Sequence, residues 1–343
     1  MKILLNTLYV TTPNAYLSLD GENVAVSNGE EILGRVPLHN LSGIITFGYA
    51  GASPALMGKC AGYGIEITFL TQRGRFLSHV VGEVNGNVLL RKEQYRISDD
   101  KKRSAEYAKY FLIGKIYNSR WVLERTIRDH ELRIEVEPLK AASNLLKNNI
   151  EKIKKCKNLD EMRGIEGESA SVYFRVFDKM ILQQKEDFCF TVRSKRPPLD
   201  NVNALLSFVY TLLAHDVSAA LSSVGLDPYV GFMHRDRPGR ISLALDLMEE
   251  LRSVLADRFV LTLINKRQIK GGGFSQNESG AVVMDDETRK IVLSSWQSRK
   301  QEIIKHPFTD EKVQWGLVPH IQAQLLARCI RGDMDAYPAF LWK

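Results

Sequence analysis

Helical periodicity sets in along RKEQYRISDDKKRSAEYAKYFLIGKIYNSRWVLERTIRDHEL, residues 91–132. Tyr107, Phe111, Ile113, Ile116 and Tyr117 recur at helical spacing, and Trp121, Val122, Ile127 and Leu132 continue it. With breaks, this pattern runs to the C terminus. Glu137-Pro138 marks one break, because proline disfavours a helical residue before it. A second helix is expected over about Leu139–Lys155, an apolar one over Ala204–Ser218 capped by Asp200-Asn201-Val202-Asn203, and further helices over Leu293–Ile304 and Trp315–Arg331.

Before residue 91 the pattern is short and strand-like. Tyr16–Val26 alternates on either side of Asp20-Gly21, a hairpin signal. Ile32–Pro37, Gly43–Phe47, Ile65–Leu70 and Phe76–Glu83 read as further strands. Ser53 with Pro54 in the first turn predicts one short helix among them. The expected fold class is therefore α+β: a small, mostly antiparallel β domain over residues 1–90 followed by a larger all-α domain over 91–343.

The chain of 343 residues carries a formal net charge of +7. Residues 1–90 hold five Lys/Arg and six Asp/Glu, against 42 and 34 in the remainder, so the basic surplus lies in the helical part. A mild surplus of this kind suits a polyanion or only a solvated surface. Cys60, Cys156, Cys189 and Cys329 form no CxxC pair, which argues against structural zinc and for reduced thiols in a cytoplasmic protein. No apolar run approaches the roughly 20 residues that cross a bilayer, and Met1–Leu5 lacks a signal-peptide pattern, so no membrane partner is expected. Arg193–Arg196 and Lys266–Lys270 read as basic loops, the second one mobile. Gly271–Gly273 lacks the spacing of a phosphate loop.

The chemistry concentrates in GFMHRDRPGRISLALDLMEELR, Gly231–Arg252. Asp246, Glu249 and Arg252, three apart, share one helix face, with Leu243, Leu247 and Val254 opposite, so the acids are expected to face a cleft or solvent. Pro238-Gly239 lets His234 fold back beside the helix start. One imidazole and two carboxylates suit Mn²⁺ or Mg²⁺, and Arg235, Arg237, Arg240 and Arg252 suit phosphate oxygens. The plainer alternative is a solvated Asp/Glu/Arg ion-pair ladder. Glu166, bracketed by Gly164 and Gly167, reads as lying at or near a helix N terminus, with room for a ligand.

Four ordered blocks resemble one family: Gly164-Ile165-Glu166-Gly167 with Tyr173-Phe174, Asn203–Leu206 before Tyr210, Gly231-Phe232-Met233-His234, and Ser242–Glu249. On these the chain resembles the CRISPR-associated spacer-integration endonucleases (the Cas-one family), and the Tyr337–Lys343 segment looks like the type I-C branch. The resemblance implies a β N-terminal domain for dimerisation and partner contacts, and a helical catalytic domain. It implies Mn²⁺ or Mg²⁺ held by Glu166, His234 and Glu249, with Asp246 in support and Arg252 at a DNA-holding position. It also implies a homodimer joined to a small Cas-two dimer, acting on double-stranded DNA. Captured fragments would be inserted into a CRISPR array by attack of their 3′-hydroxyls on repeat-end phosphodiesters. A non-catalytic DNA-binding assembly protein and a small-molecule phosphodiesterase are the competing classes.

Overall fold

The computed structural model describes residues 6–48, 50–71, 76–80, 82 and 88–343. Met1–Leu5 and part of the stretch expected as a strand to Glu83 lie outside them. Two compact units emerge: the described residues up to 85 together with Arg289–Glu302, and the remainder of the chain. A helix expected among the later ones thus belongs largely to the N-terminal unit.

The N-terminal unit is built from β1 (Thr7–Val10), β2 (Tyr16–Asp20), β3 (Asn23–Asn28), β4 (Glu31–Pro37), β5 (Gly43–Phe47), β6 (Gly51–Ala52), α1 (Pro54–Gly62), β7 (Glu66–Leu70) and β8 (Phe76–Val80). The β2–β3 hairpin turns through Gly21 at φ +58°, a conformation open to glycine. Ser53 caps α1 by accepting from the Leu56 amide at 3.2 Å. The two sheets, ordered β1-β5-β7-β8 and β4-β3-β2-β6, are mixed rather than mostly antiparallel. The pairs β1/β5, β5/β7 and β2/β6 are parallel; β7/β8, β2/β3 and β3/β4 are antiparallel. The reason lies in β5 and β7, whose runs Ile44–Phe47 and Ile67–Leu70, apolar but for Thr46 and Thr68, are buried on both faces, as parallel strands require. Leu17, Val24, Leu38, Ile44, Leu56 and Ile67 join both sheets and α1 in one core.

The second unit is mainly helical: α2 (Val88–Asp99), α3 (Lys101–His130), α4 (Val136–Lys155), α5 (Leu159–Arg175), α6 (Asn201–Ser223), α7 (Ser242–Leu251) and α8 (Arg258–Asn265). A π-helical segment, Arg252–Asp257, joins the last two. It is not all-α, because β9 (Phe274–Gln276) pairs with β10 (Val282–Met284) before α9 (Asp286–Gln301), and β11 (Ile303–Lys305) pairs with β12 (Lys312–Gln314) before α10 (Val318–Ile330). The expected mobile loop at 266–274 is instead packed: Ile269 is buried, and Gly271 and Gly273 lie too close to Asp187 and Thr288 for any side chain.

Asp100 separates α2 from α3 by accepting from the Lys102 and Arg103 amides, and Asp200 caps α6 through the Asn203 amide. Helix α3 packs against α4, α5 and α7. Its buried side includes Phe111, Leu112, Ile116 and Val122 but also Gly114, Asn118 and Ser119, while Leu132, expected on the apolar stripe, is 100% exposed. Helix α6 exceeds the sequence expectation for apolar length: its 18-residue window has a mean hydropathy of 1.5, and 67% of that window is buried in the protein, as in a core helix. Tyr337 and Phe340 of the closing segment are buried, so this tail is docked.

Candidate active site

Asp246, expected to face a cleft or solvent, is fully buried on α7. Its Oδ2 accepts from the amides of Phe232 at 2.6 Å and Met233 at 2.8 Å, and its Oδ1 from the His234 amide at 2.9 Å. The same Oδ1 lies 2.6 Å from His234 Nδ1. A carboxylate only accepts, so Nδ1 carries a proton and donates to it, and in the neutral ring Nε2 is the atom with the lone pair. Gly231 makes this cradle possible: a Cβ there would sit 2.9 Å from Asp246 Oδ2 and 2.8 Å from Ser242 Cβ.

Two further helices, α2 and α5, tie down the same loop. Gln94 of α2 donates to the Asp227 and Val230 carbonyls at 2.7 and 2.8 Å, and Ser98 donates to Gly231 O at 2.8 Å. Arg163 of α5 donates to Met233 O at 2.6 Å. His234 is thus held through its own backbone, its ring and its neighbours.

Glu166 lies in the middle of α5, whose N-cap is Asn158, and not at a helix start. Gly164 and Gly167 have nothing within 4 Å of an added Cβ, so this helix face is open. Lys115 of α3 forms an ion pair with Glu166 and a second, at 2.8 Å, with Glu249 Oε2. Its side chain is 14% exposed and joins carboxylates from two helices. Gly114 explains how it gets there: a Cβ at this position would meet Glu250 Cβ at 2.8 Å, so α3 and α7 cross closely and the adjacent Lys115 reaches Glu249.

Glu249 is 5% exposed. Arg252 Nη1 donates to both of its oxygens, at 2.7 and 2.9 Å. Burial opposes ionisation of Glu249, but Arg252 and then Lys115 more than offset it, and the carboxyl is held well below its usual range. Arg252, expected to hold DNA, points inward: its guanidinium stacks 4.4 Å over Tyr210 of α6, and Tyr210 donates to Asp257. One rung of the ion-pair ladder, Glu249–Arg252, therefore exists, but buried instead of solvated. Arg193 is likewise taken up internally, by Asn203 Oδ1 at 2.6 Å and the Tyr210 ring. Lys195 lies near this group, its pKa lowered by desolvation and then by Arg252. Arg235 is exposed, 3.8 Å from Asp160, and Arg240 is half-buried in the turn before α7.

The structure thus gathers Glu166, His234, Asp246 and Glu249 in one region. Among the described residues no three His, Cys, Asp or Glu side chains form a ready metal cluster. The donor chemistry nonetheless fits a divalent ion: two carboxylates already share a cation, and the imidazole beside them has Nε2 free. Lys115 and Tyr210 escaped the sequence reading as site residues. The usable signal for Lys115 was Gly114, a glycine inside a long helical pattern, which marks a close approach of another element.

Comparison with known proteins adds family context. The sequence profile of the family described as CRISPR associated protein Cas1 matches residues 8–298. The CRISPR-associated endonuclease Cas1 1 of Chlorobaculum tepidum is 51% identical over 343 residues, covering 100% of both chains. Among solved structures, a casposase bound to integration product superposes with a TM-score of 0.82 at 23% identity, covering 99% of this chain and 93% of that one. A chain of a Cas6-RT-Cas1–Cas2 complex superposes with a TM-score of 0.80 at 23% identity, over 98% of this chain and 36% of that one.

Proposed function

The chain belongs to the Cas1 family of CRISPR-associated proteins, and from that premise we propose that it is a metal-dependent DNA endonuclease and integrase of CRISPR adaptation. It inserts short foreign DNA fragments as new spacers, their 3′-hydroxyls attacking phosphodiesters at the ends of a CRISPR repeat. The observation that carries this reading is the gathering of Glu166 and Glu249, from separate helices, around one cation beside a His234 ring oriented by Asp246. Glu166, His234 and Glu249 would hold Mn²⁺ or Mg²⁺. Such an ion, when bound, polarises a phosphodiester and stabilises the oxygen that departs. Asp246 keeps His234 Nε2 presented, Arg252 balances the buried Glu249, and Arg235 and Arg240 lie on the adjoining turn for phosphate contacts.

A homodimer joined to a small Cas2 dimer on double-stranded DNA belongs to the same proposal; its Cas2 partner alone draws on the fold shared with the Cas6-RT-Cas1–Cas2 complex. The type I-C branch for the closing segment belongs to it too, as does a cytoplasmic location, supported by four free cysteines. The charge balance of Lys115 and Arg252 against Glu166 and Glu249 favours one rival: a structural ion cluster in a non-catalytic DNA-binding assembly protein. His234→Ala and Glu166→Ala separate the two in a strand-transfer assay with the Cas2 partner, a 3′-hydroxyl duplex and a repeat-bearing plasmid. Loss of joining with DNA binding retained is expected. Normal joining by His234→Ala would exclude the catalytic assignment.

A further inference from the structure

We propose that Lys115 is a resident counter-ion, which holds the metal-free site together and gives up its place when a divalent cation binds. This rests on the metal reading above. Among the described residues, Lys115 is the cation that the structure pairs with both Glu166 and Glu249. Its ammonium therefore occupies ground that a metal shared by those carboxylates needs, and competes for the same oxygen lone pairs.

The charges favour the exchange. Glu166 and Glu249 already face two cations, Lys115 and Arg252, so this pair of carboxylates is balanced before any metal arrives. A dication added to this set would be pressed against like charges in a poorly solvated place. Arg252 is the fixed member, gripping both Glu249 oxygens and stacked on Tyr210. Lys115 is the movable one: its head group sits on a flexible four-carbon stem. The close packing of Gly114 on Glu250 anchors the backbone beside it, so the side chain moves and the helix stays.

The experiment measures Mn²⁺ binding to the full chain, from the resonance of free Mn²⁺, for wild type, Lys115→Met, Lys115→Gln and Lys115→Arg. Thermal unfolding is followed for each in EDTA and in Mn²⁺. The neutral variants should bind Mn²⁺ roughly tenfold or more tightly than wild type, since a competitor for the Glu166 and Glu249 oxygens is gone and Glu166 has lost its cation. They should melt lower in EDTA and recover in Mn²⁺, while Lys115→Arg follows wild type. Neutral variants that fold only with Mn²⁺ would also support the exchange. Wild-type or weaker Mn²⁺ affinity in both neutral variants overturns it and leaves the metal reading standing, as does failure to fold even in Mn²⁺. Absence of Mn²⁺ binding in every protein, wild type included, sinks both.

Discussion

Asp246→Asn tests whether the buried carboxylate builds the site. Each of its oxygens receives two donors: the Phe232 and Met233 amides on Oδ2, the His234 amide and Nδ1 on Oδ1. An asparagine has one oxygen, so either orientation turns its NH₂ group towards two N–H donors in a fully buried place. Hydrogen bonds to a charged acceptor contribute about 1.5–3 kcal/mol each. Losing two, with some relaxation, costs about 4 kcal/mol, or roughly a thousandfold in the local opening equilibrium. Hydrogen exchange reads this directly. The amides of Phe232, Met233 and His234 should lose about two to three orders of magnitude of protection, while those in the middle of α3 keep theirs. Strand transfer should fall with them, because His234 loses its orientation. Unchanged exchange at these amides in Asp246→Asn would refute the argument, whatever happened to activity.

Two further predictions concern stability. Gly114→Ala places a Cβ 2.8 Å from Glu250 Cβ and 3.4 Å from Ala339 Cβ; overpacking should destabilise by about 1–3 kcal/mol. Gly164→Ala, with nothing within 4 Å, should be stabilising by about 0.5–1 kcal/mol, and equal melting temperatures for the two variants would contradict the close α3–α7 crossing. Burial pushes the Glu66 carboxyl up from 4.5 to about 7. A raised folded pKa means its stabilising contribution is complete below the unfolded value near 4.5 and is lost as pH rises through 7, on the order of 3 kcal/mol in all. Unfolding of full-length Glu66→Gln between pH 5 and 8 should lack that decline, and an identical decline in wild type and variant would remove Glu66 as its source.

Much of the local structure is written locally. Ser53, Asp200 and the Asp20-Gly21 turn act within a few residues of themselves, so the elements they start were readable. Strand partners were not. Alternation says which face of a strand is buried, while the parallel pairing of β5 with β1 and β7 follows from which distant run lies alongside. The return of α9 to the N-terminal unit and the burial of Gly114, Asn118 and Ser119 are likewise properties of neighbours remote in sequence.

The candidate site divides in the same way. The sequence by itself determined which chemical groups are available: His234, Asp246, Glu249 and Arg252 at helical and turn spacing, and Glu166 between glycines. Tertiary structure alone decided what each one does. Burial turned Asp246 from an apparent surface acid into the anchor of the His234 loop, because three amides and an imidazole left it no solvent to face. It turned Arg252 inward, because Glu249 inside the protein needed a countercharge. And it brought in Lys115, whose role has no local signature, through the missing side chain of Gly114 at the crossing of two helices.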